Sequence, residues 1–373
     1  MKKFIAAAAG LALAGSMATT AMAEVTFGGD ARARAITMSD YTPGGSVSKL
    51  DSRVRLVVNA KAKGGATATA RIRMADGMWN GGNGATGNAD NAKNIYVDYG
   101  FITVPMGPVT VSAGRQIASF SKWFSWDGRK DRLKMVYKNA ATTLVGFYDK
   151  NAELTDEVND WLTDKDKNGY GVVVAQGMGG GWKAKGIAVF MQDETPAAND
   201  GIIGSLLVNG KAGAVALEAE VSMKDYDNAA DTQMGGYLKA VYKTGAVTVG
   251  GIAGMTADGF MVDDDFGTIM IGNGNNTPIT VAPQIGAGGD TVFGVGHVNF
   301  KVSGDLGLDA YVTYATIDNY ADLIEVSGQA VYSISDGAAL TVAAGAVIPS
   351  DEGGLNGNDD TMFGAYAKLE VKY

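Results

Sequence analysis

The stretch Asp51-Ser52-Arg53-Val54-Arg55-Leu56-Val57-Val58-Asn59-Ala60-Lys61-Ala62-Lys63 alternates polar and apolar residues. Successive side chains of a strand point to opposite faces. Arg53, Arg55, Asn59, Lys61 and Lys63 therefore share one face, and Val54, Leu56, Val58, Ala60 and Ala62 the other. Arg32-Ala33-Arg34 and Arg71-Ile72-Arg73 repeat the central motif. One such strand fits a soluble sandwich as well as a membrane barrel. The continuation of the pattern from Val25 to Tyr373 favours the barrel.

The chain opens with an export signal. Lys2 and Lys3 precede an apolar run, Phe4 to Gly15, and Ala21-Met22-Ala23 is a small-residue cleavage site. Residues 1–23 are expected to be removed, leaving 24–373 as one barrel domain. As a membrane anchor the apolar run is too short, since a helical span needs about 20 residues. No later segment reaches that length. Cysteine is absent from this exported chain, which excludes a disulfide-stapled scaffold. Without Lys2 and Lys3, 29 basic residues remain against 40 acidic ones, a net charge of −11. Such a balance argues against nucleic acid as a partner.

Short turn signals, such as Gly64-Gly65-Ala66, Pro105-Met106-Gly107-Pro108, Gly179-Gly180-Gly181 and Asp336-Gly337, alternate with longer polar connections. The longer ones are Ser39–Leu50, Asp76–Ala92, Asn151–Gly169, Asp193–Gly201, Asp258–Asp290 and Ser350–Asp360. Tight periplasmic turns alternating with long external loops characterise transmembrane antiparallel β-barrels. The strand count reads 18, with 16 open. The last strand carries Phe363, Ala365, Ala367, Leu369, Val371 and Tyr373 on one face, and its terminal aromatic resembles the recognition signal of outer-membrane barrel proteins. An amphipathic strand of a soluble sandwich would share the alternation but not the export signal and loop pattern.

The segments Asn94-Ile95-Tyr96-Val97-Asp98-Tyr99-Gly100 and Val109-Thr110-Val111-Ser112-Ala113-Gly114-Arg115-Gln116 resemble the central part of the general Gram-negative trimeric porins. Asp131-Arg132-Leu133-Lys134-Met135-Val136-Tyr137 is similar to the strand that leaves that family's third loop. The resemblance implies a homotrimer in the outer membrane, in contact with lipid and lipopolysaccharide, that passes small hydrophilic solutes and ions. It also implies a constriction loop, Ile117–Lys130, folded into the lumen. Lys122, Asp127, Arg129, Lys130 and Asp131 are its charged candidates. The loop is shorter than is usual in the family and less acidic. Arg115 matches the family's arginine at the start of the loop. Strict alternation from Val111 would turn it outward, so that role requires a bulge near Gly114.

The first three strands should adjoin, placing Arg32, Arg34, Arg53, Arg55, Arg71 and Arg73 in one basic patch. A three-residue turn, Gly64-Gly65-Ala66, pairs Lys63 with Thr67 and Asn59 with Arg71, keeping every arginine on one side. With a two-residue turn Arg71 and Arg73 would face lipid, at about 2–4 kcal/mol each near the midplane. A charged lumen wall selects ions, so modest anion preference is expected. Solvated charges without discrimination are the plainer reading.

Acidic residues concentrate in the presumed external loops: Asp156, Glu157 and Asp160, then Asp263–Asp265, then Asp351, Glu352, Asp359 and Asp360. Asp164, Asp166 and Asn168 resemble the start of a calcium loop, but Ala175 stands where its bidentate glutamate belongs. A solvated loop is the simpler reading, with Ca2+ possible at these loops and no other cofactor expected. Divalent cations could bridge the loops to lipopolysaccharide phosphates. His297 is the sole histidine and fits a pore-wall or packing role. No G-x-S-x-G or H-E-x-x-H motif is present, so a channel is favoured over an enzyme. An outer-membrane lipid hydrolase and a secreted β-rich adhesin are the alternatives from other classes.

Overall fold

A computed structural model describes residues 22–42, 45–79, 95–152, 167–194, 199–263, 268–272, 278–281, 284–287, 289–318, 322–350 and 360–373. The expected leader lies outside these residues, except for Met22 and Ala23 at the start of the first strand.

The strands are β1 (Met22–Thr42), β2 (Gly45–Ala62), β3 (Thr67–Met78), β4 (Tyr96–Met106), β5 (Val109–Ala118), β6 (Gly128–Lys138), β7 (Thr142–Ala152), β8 (Lys167–Gly179) and β9 (Trp182–Asp193). They continue with β10 (Gly201–Ala212), β11 (Val215–Tyr226), β12 (Gln233–Thr244), β13 (Val247–Ala257), β14 (Thr291–Lys301), β15 (Leu306–Ile317), β16 (Leu323–Ser335), β17 (Ala338–Pro349) and β18 (Met362–Lys372). All neighbours run antiparallel in one 18-stranded sheet, and β1 pairs with both β2 and β18 to close it. Closure leaves no unpaired edge, which a lipid environment would penalise.

Alternation sorts the side chains as the sequence suggests. Leu133, Met135, Val172, Val174, Leu238, Val312 and Val326 are exposed on the outer face. Exposed Tyr137, Tyr242, Tyr332 and Tyr373 rim the short-turn end, and Tyr170, Phe190, Tyr314 and Phe363 the opposite end. Such paired aromatic girdles mark membrane interfaces. At the seam, Gly29 and Tyr373 exchange backbone hydrogen bonds of 2.8 and 3.1 Å. A Cβ on Gly29 would stand 2.9 Å from the Tyr373 ring and 2.2 Å from the Arg55 carbonyl oxygen. Only glycine admits that approach.

Two local expectations change. Ser39–Leu50 is not a long connection, because the β1–β2 hairpin continues to Thr42 opposite Gly45. The β2–β3 turn holds four residues, Lys63–Ala66, closed by the Ala62 amide donating to the Ala66 carbonyl at 2.8 Å. Asn59 thus pairs with Thr69 and Val57 with Arg71, two residues from the expected register. A two-residue slip preserves side-chain parity. Arg71 and Arg73 therefore still face inward.

The buried apolar cluster lies inside the barrel. Residues 119–127, between β5 and β6, fold inward and present Phe120, Trp123 and Phe124. The described parts of 258–290, between β13 and β14, fold inward as well, although the sequence reading placed this segment outside. Phe260, Val262, Ile269, Met270, Ile271, Ile279, Val281 and Ile285 are nearly inaccessible there. Inward-facing Phe293, Val295, Ile317, Leu323, Val347 and Met362 form the apolar wall that receives them. These residues outweigh the acidic run that suggested an external loop, because burying each large side chain is worth about 1.5–3 kcal/mol.

Candidate pore constriction

The inner faces of β1, β2 and β3 bring together Arg32, Arg34, Arg53, Arg55, Arg71 and Arg73. Cross-strand pairing sets Arg32 opposite Arg53, and Arg55 opposite Arg73. Most of these arginines meet carboxylates not singled out in the sequence. Arg34 forms a two-pronged pair with Asp51 at 2.6 and 2.8 Å. Asp30 receives Arg55 Nε at 2.8 Å and Arg53 Nη2 at 3.3 Å. Arg73 is bound by Asp76. These side chains are mostly withdrawn from solvent, and fork-to-carboxylate pairing fixes their planes.

Asp98 holds the next group. The β3–β4 pairing slips between Arg71–Tyr99 and Ile72–Val97, leaving Asp98 as the extra residue of a bulge. Bulges re-aim side chains. Here the bulge turns the carboxylate into the lumen, where it accepts from Arg71 Nε at 2.6 Å and Arg129 Nε at 3.1 Å, with Arg73 Nε at 3.4 Å. Arg71 also stacks over Tyr99 with its guanidinium carbon 4.4 Å from the ring centre. Arg132 pairs with Asp149 at 2.5 and 2.7 Å and extends the band onto β6 and β7.

Arg32 differs from its neighbours. Its Nε is buried, and among the described residues it has neither a hydrogen bond nor an ion pair. Arg34 and Arg53 beside it are already engaged. In the band as a whole, the guanidiniums of Arg32, Arg34, Arg53, Arg55, Arg71, Arg73 and Arg129 outnumber the carboxylates of Asp30, Asp51, Asp76, Asp98 and Asp127.

The short loop 119–127 spans the lumen opposite this band. Ser121 Oγ donates to Glu220 on β11 at 2.7 Å, and Lys185 Nζ on β9 donates to the Phe120 carbonyl at 2.6 Å. The Trp123 ring lies 5.1 Å from Tyr237, 5.7 Å from Phe260 and 6.0 Å from Phe293. Lys122, Trp126 and Asp127 remain exposed. The second inward segment clasps the first, since the Trp126 amide donates to the Asp263 carboxylate and the Asp263 amide to the Trp123 carbonyl. It is anchored in turn by Glu325 on β16. The Glu325 carboxylate accepts the amides of Ile269, Met270 and Ile271 at 2.8, 3.1 and 2.9 Å, and the Ser327 hydroxyl. Consecutive amides converging on one carboxylate form an anion nest.

Arg115 and Asp131 do not join the constriction. The β4–β5 and β5–β6 ladders run without slippage past Gly114, so alternation turns both residues outward, where they pair at 3.3 Å. Gly114 adopts φ +122° but adds no residue to the ladder. Lys130 faces inward and donates to Asn151 at 2.7 Å. Of the calcium candidates, Asp164 and Asp166 lie outside the described residues. Asn168 accepts the Tyr148 hydroxyl at 2.8 Å within the sheet. His297 lines the inner wall, stacked 6.0 Å from Tyr311 and seated against Gly250.

Solved structures share this architecture. OccAB1 of Acinetobacter baumannii superposes with a TM-score of 0.62 at 13% identity, covering 93% of this chain and 96% of that one. The fold is that of outer-membrane porins. The outer membrane protein opdK from Pseudomonas aeruginosa gives 0.61 at 10% identity over 93% of this chain and 99% of its own. An anion-selective porin from Comamonas acidovorans gives 0.51 at 13% identity over 94% and 99%. No family model and no curated protein sequence matches the chain.

Proposed function

We propose that the protein is an outer-membrane porin, a passive water-filled channel for small hydrophilic solutes and ions with a modest anion preference. One observation carries the reading: a lumen-facing guanidinium band, in excess over its carboxylates, stands opposite an inward loop inside a barrel with an apolar outer face. Charge on the walls of a narrow aqueous path raises the local concentration of counter-ions. Acidic residues at the mouths lie beyond a screening length of about 8 Å at physiological salt and act weakly on the narrow zone. Three copies per assembly, a cleaved leader and contact with lipopolysaccharide follow from the family resemblance.

Paired carboxylates occupy most of the arginine donors, so Arg32 is the group best placed to meet a passing anion. Purified protein in planar bilayers under a salt gradient should show a zero-current potential of the sign set by anion flow. Cation preference in the intact protein would overturn the selectivity. A barrel that leaves liposomes impermeable to the smallest sugars would overturn the channel.

A further inference from the structure

The outer wall carries charges that a lipid-facing surface ordinarily excludes. Within the eighteen strands, register turns the lysines and arginines inward, with Arg115, Arg129 and Lys150 as exceptions on adjoining β5, β6 and β7. Arg129 reaches back to Asp98 and Asp127. Arg115 and Lys150 remain on the outer face. Directly opposed residues form one row across five strands: Arg115, Asp131, Lys150, Asn168 and Gln192. The Arg115 and Asp131 side chains are 49% and 57% exposed, joined by one 3.3 Å contact.

The adjacent row toward the short turns is Leu133, Tyr148, Tyr170 and Phe190. The Tyr148 and Tyr170 rings lie 5.3 Å apart. The charged row thus follows the aromatic girdle immediately on the long-loop side, at the level where hydrocarbon gives way to headgroups. In a chain with formal net charge −9, this outward sector is cationic.

We propose that this sector binds a phosphate-bearing lipid of the outer leaflet. Arg115 and Lys150 flank the phosphate, and the Tyr148–Tyr170–Phe190 row lies against the upper part of the acyl chains. Charge complementarity selects the occupant, because two long cationic side chains at a membrane interface favour anionic headgroups. Asp131 between them opposes binding and sets its strength. The inference rests on the outer-membrane reading, with the long loops facing outward.

Native mass spectrometry of the full-length protein, with diphosphorylated lipid A as probe, tests it. The wild type should retain this lipid in preference to the dephosphorylated form. R115A/K150A should bind it roughly thirtyfold more weakly, at about one interfacial cation's worth for each residue lost. D131N should bind more tightly, an opposite shift that still tests the site if the double variant fails to assemble. Millimolar inorganic phosphate should leave the lipid in place. Equal retention by wild type and both variants, or equal binding of the dephosphorylated form, overturns the proposal. So does displacement by free phosphate, or loss of oligomer from R115A/K150A with lipid binding intact, which would mark a contact between copies. Conductance of the same samples in bilayers reports separately on the channel reading.

Discussion

Two sectors of one inner wall contrast sharply. On β1, β2 and β3 the inward row is guanidinium and carboxylate, and its open side faces the lumen. Toward the long-loop ends of β14 through β18, and of β1 at Ile36 and Met38, the inward row is Phe293, Ile317, Leu323, Val347 and Met362, covered by a folded-in segment. The same two-residue period produced both. What separates them is the chemistry of the inward row. Charges that hydrate well leave space for water, whereas large apolar side chains must be covered. The wall opposite the arginines therefore forms a rigid shelf, and the conducting path is confined to the charged side.

Removing the anchor of the shelf should give the largest effect. Glu325→Ala leaves three buried amides without an acceptor, at about 1–3 kcal/mol each. The segment 258–290 should detach. Larger and noisier single-channel conductance, with new protease cleavage in that segment, is the expected record. Unchanged conductance would mean the shelf does not narrow the path. Trp123→Ala should follow, since it empties the aromatic joint between the two inward segments, at about 3–5 kcal/mol of loop docking. Its conductance should rise by less than that of Glu325→Ala, with Glu325 still in place.

On the charged side the expected effects are smaller and differ in sign. Arg32→Ala should move the zero-current potential toward cation preference more than Arg34→Ala does, because the Arg34 donors are already taken by Asp51. Equal shifts would indicate that summed wall charge governs selectivity, with no special place for Arg32. Asp98→Asn should move the potential toward anions by freeing Arg71, Arg73 and Arg129. Arg115→Ala should leave it unchanged, which distinguishes the inner wall from the outer. A shift comparable to that of Arg32→Ala would return Arg115 to the lumen.

Parity explains why so much of this was legible. Alternation alone assigned Arg32 through Arg73 to the lumen, and it survived a register error of two residues because that error preserves faces. Where the period breaks, the reading failed. Asp98 became the hub of three arginines through a bulge that no local composition announces. Arg115 required a bulge that the ladder lacks, and Gly114 bends the backbone without changing parity. The counter-ions Asp30 and Asp51 were within reach, since each lies two residues from an inward arginine in the alternation. The inward fold of 258–290 was signalled by Phe260-Met261-Val262 and Ile269-Met270-Ile271, but the adjoining aspartates dominated the judgement. Glu325 had no local signature, because its partners are 54 to 56 residues away.

The seam at Gly29 and Tyr373 carries a consequence for assembly. The Tyr373 hydroxyl also reaches the Arg55 carbonyl at 3.1 Å, across 318 positions of the chain. The hairpins β2–β3 through β16–β17 can form from neighbours in order of synthesis, but the join of β1 to β18 waits for the final strand. Until then the curled sheet presents two bare edges, each a template for a foreign strand. Ring closure is the most non-local contact in the molecule and so its slowest step to reach. The protein must be kept from its own kind until its last residues arrive.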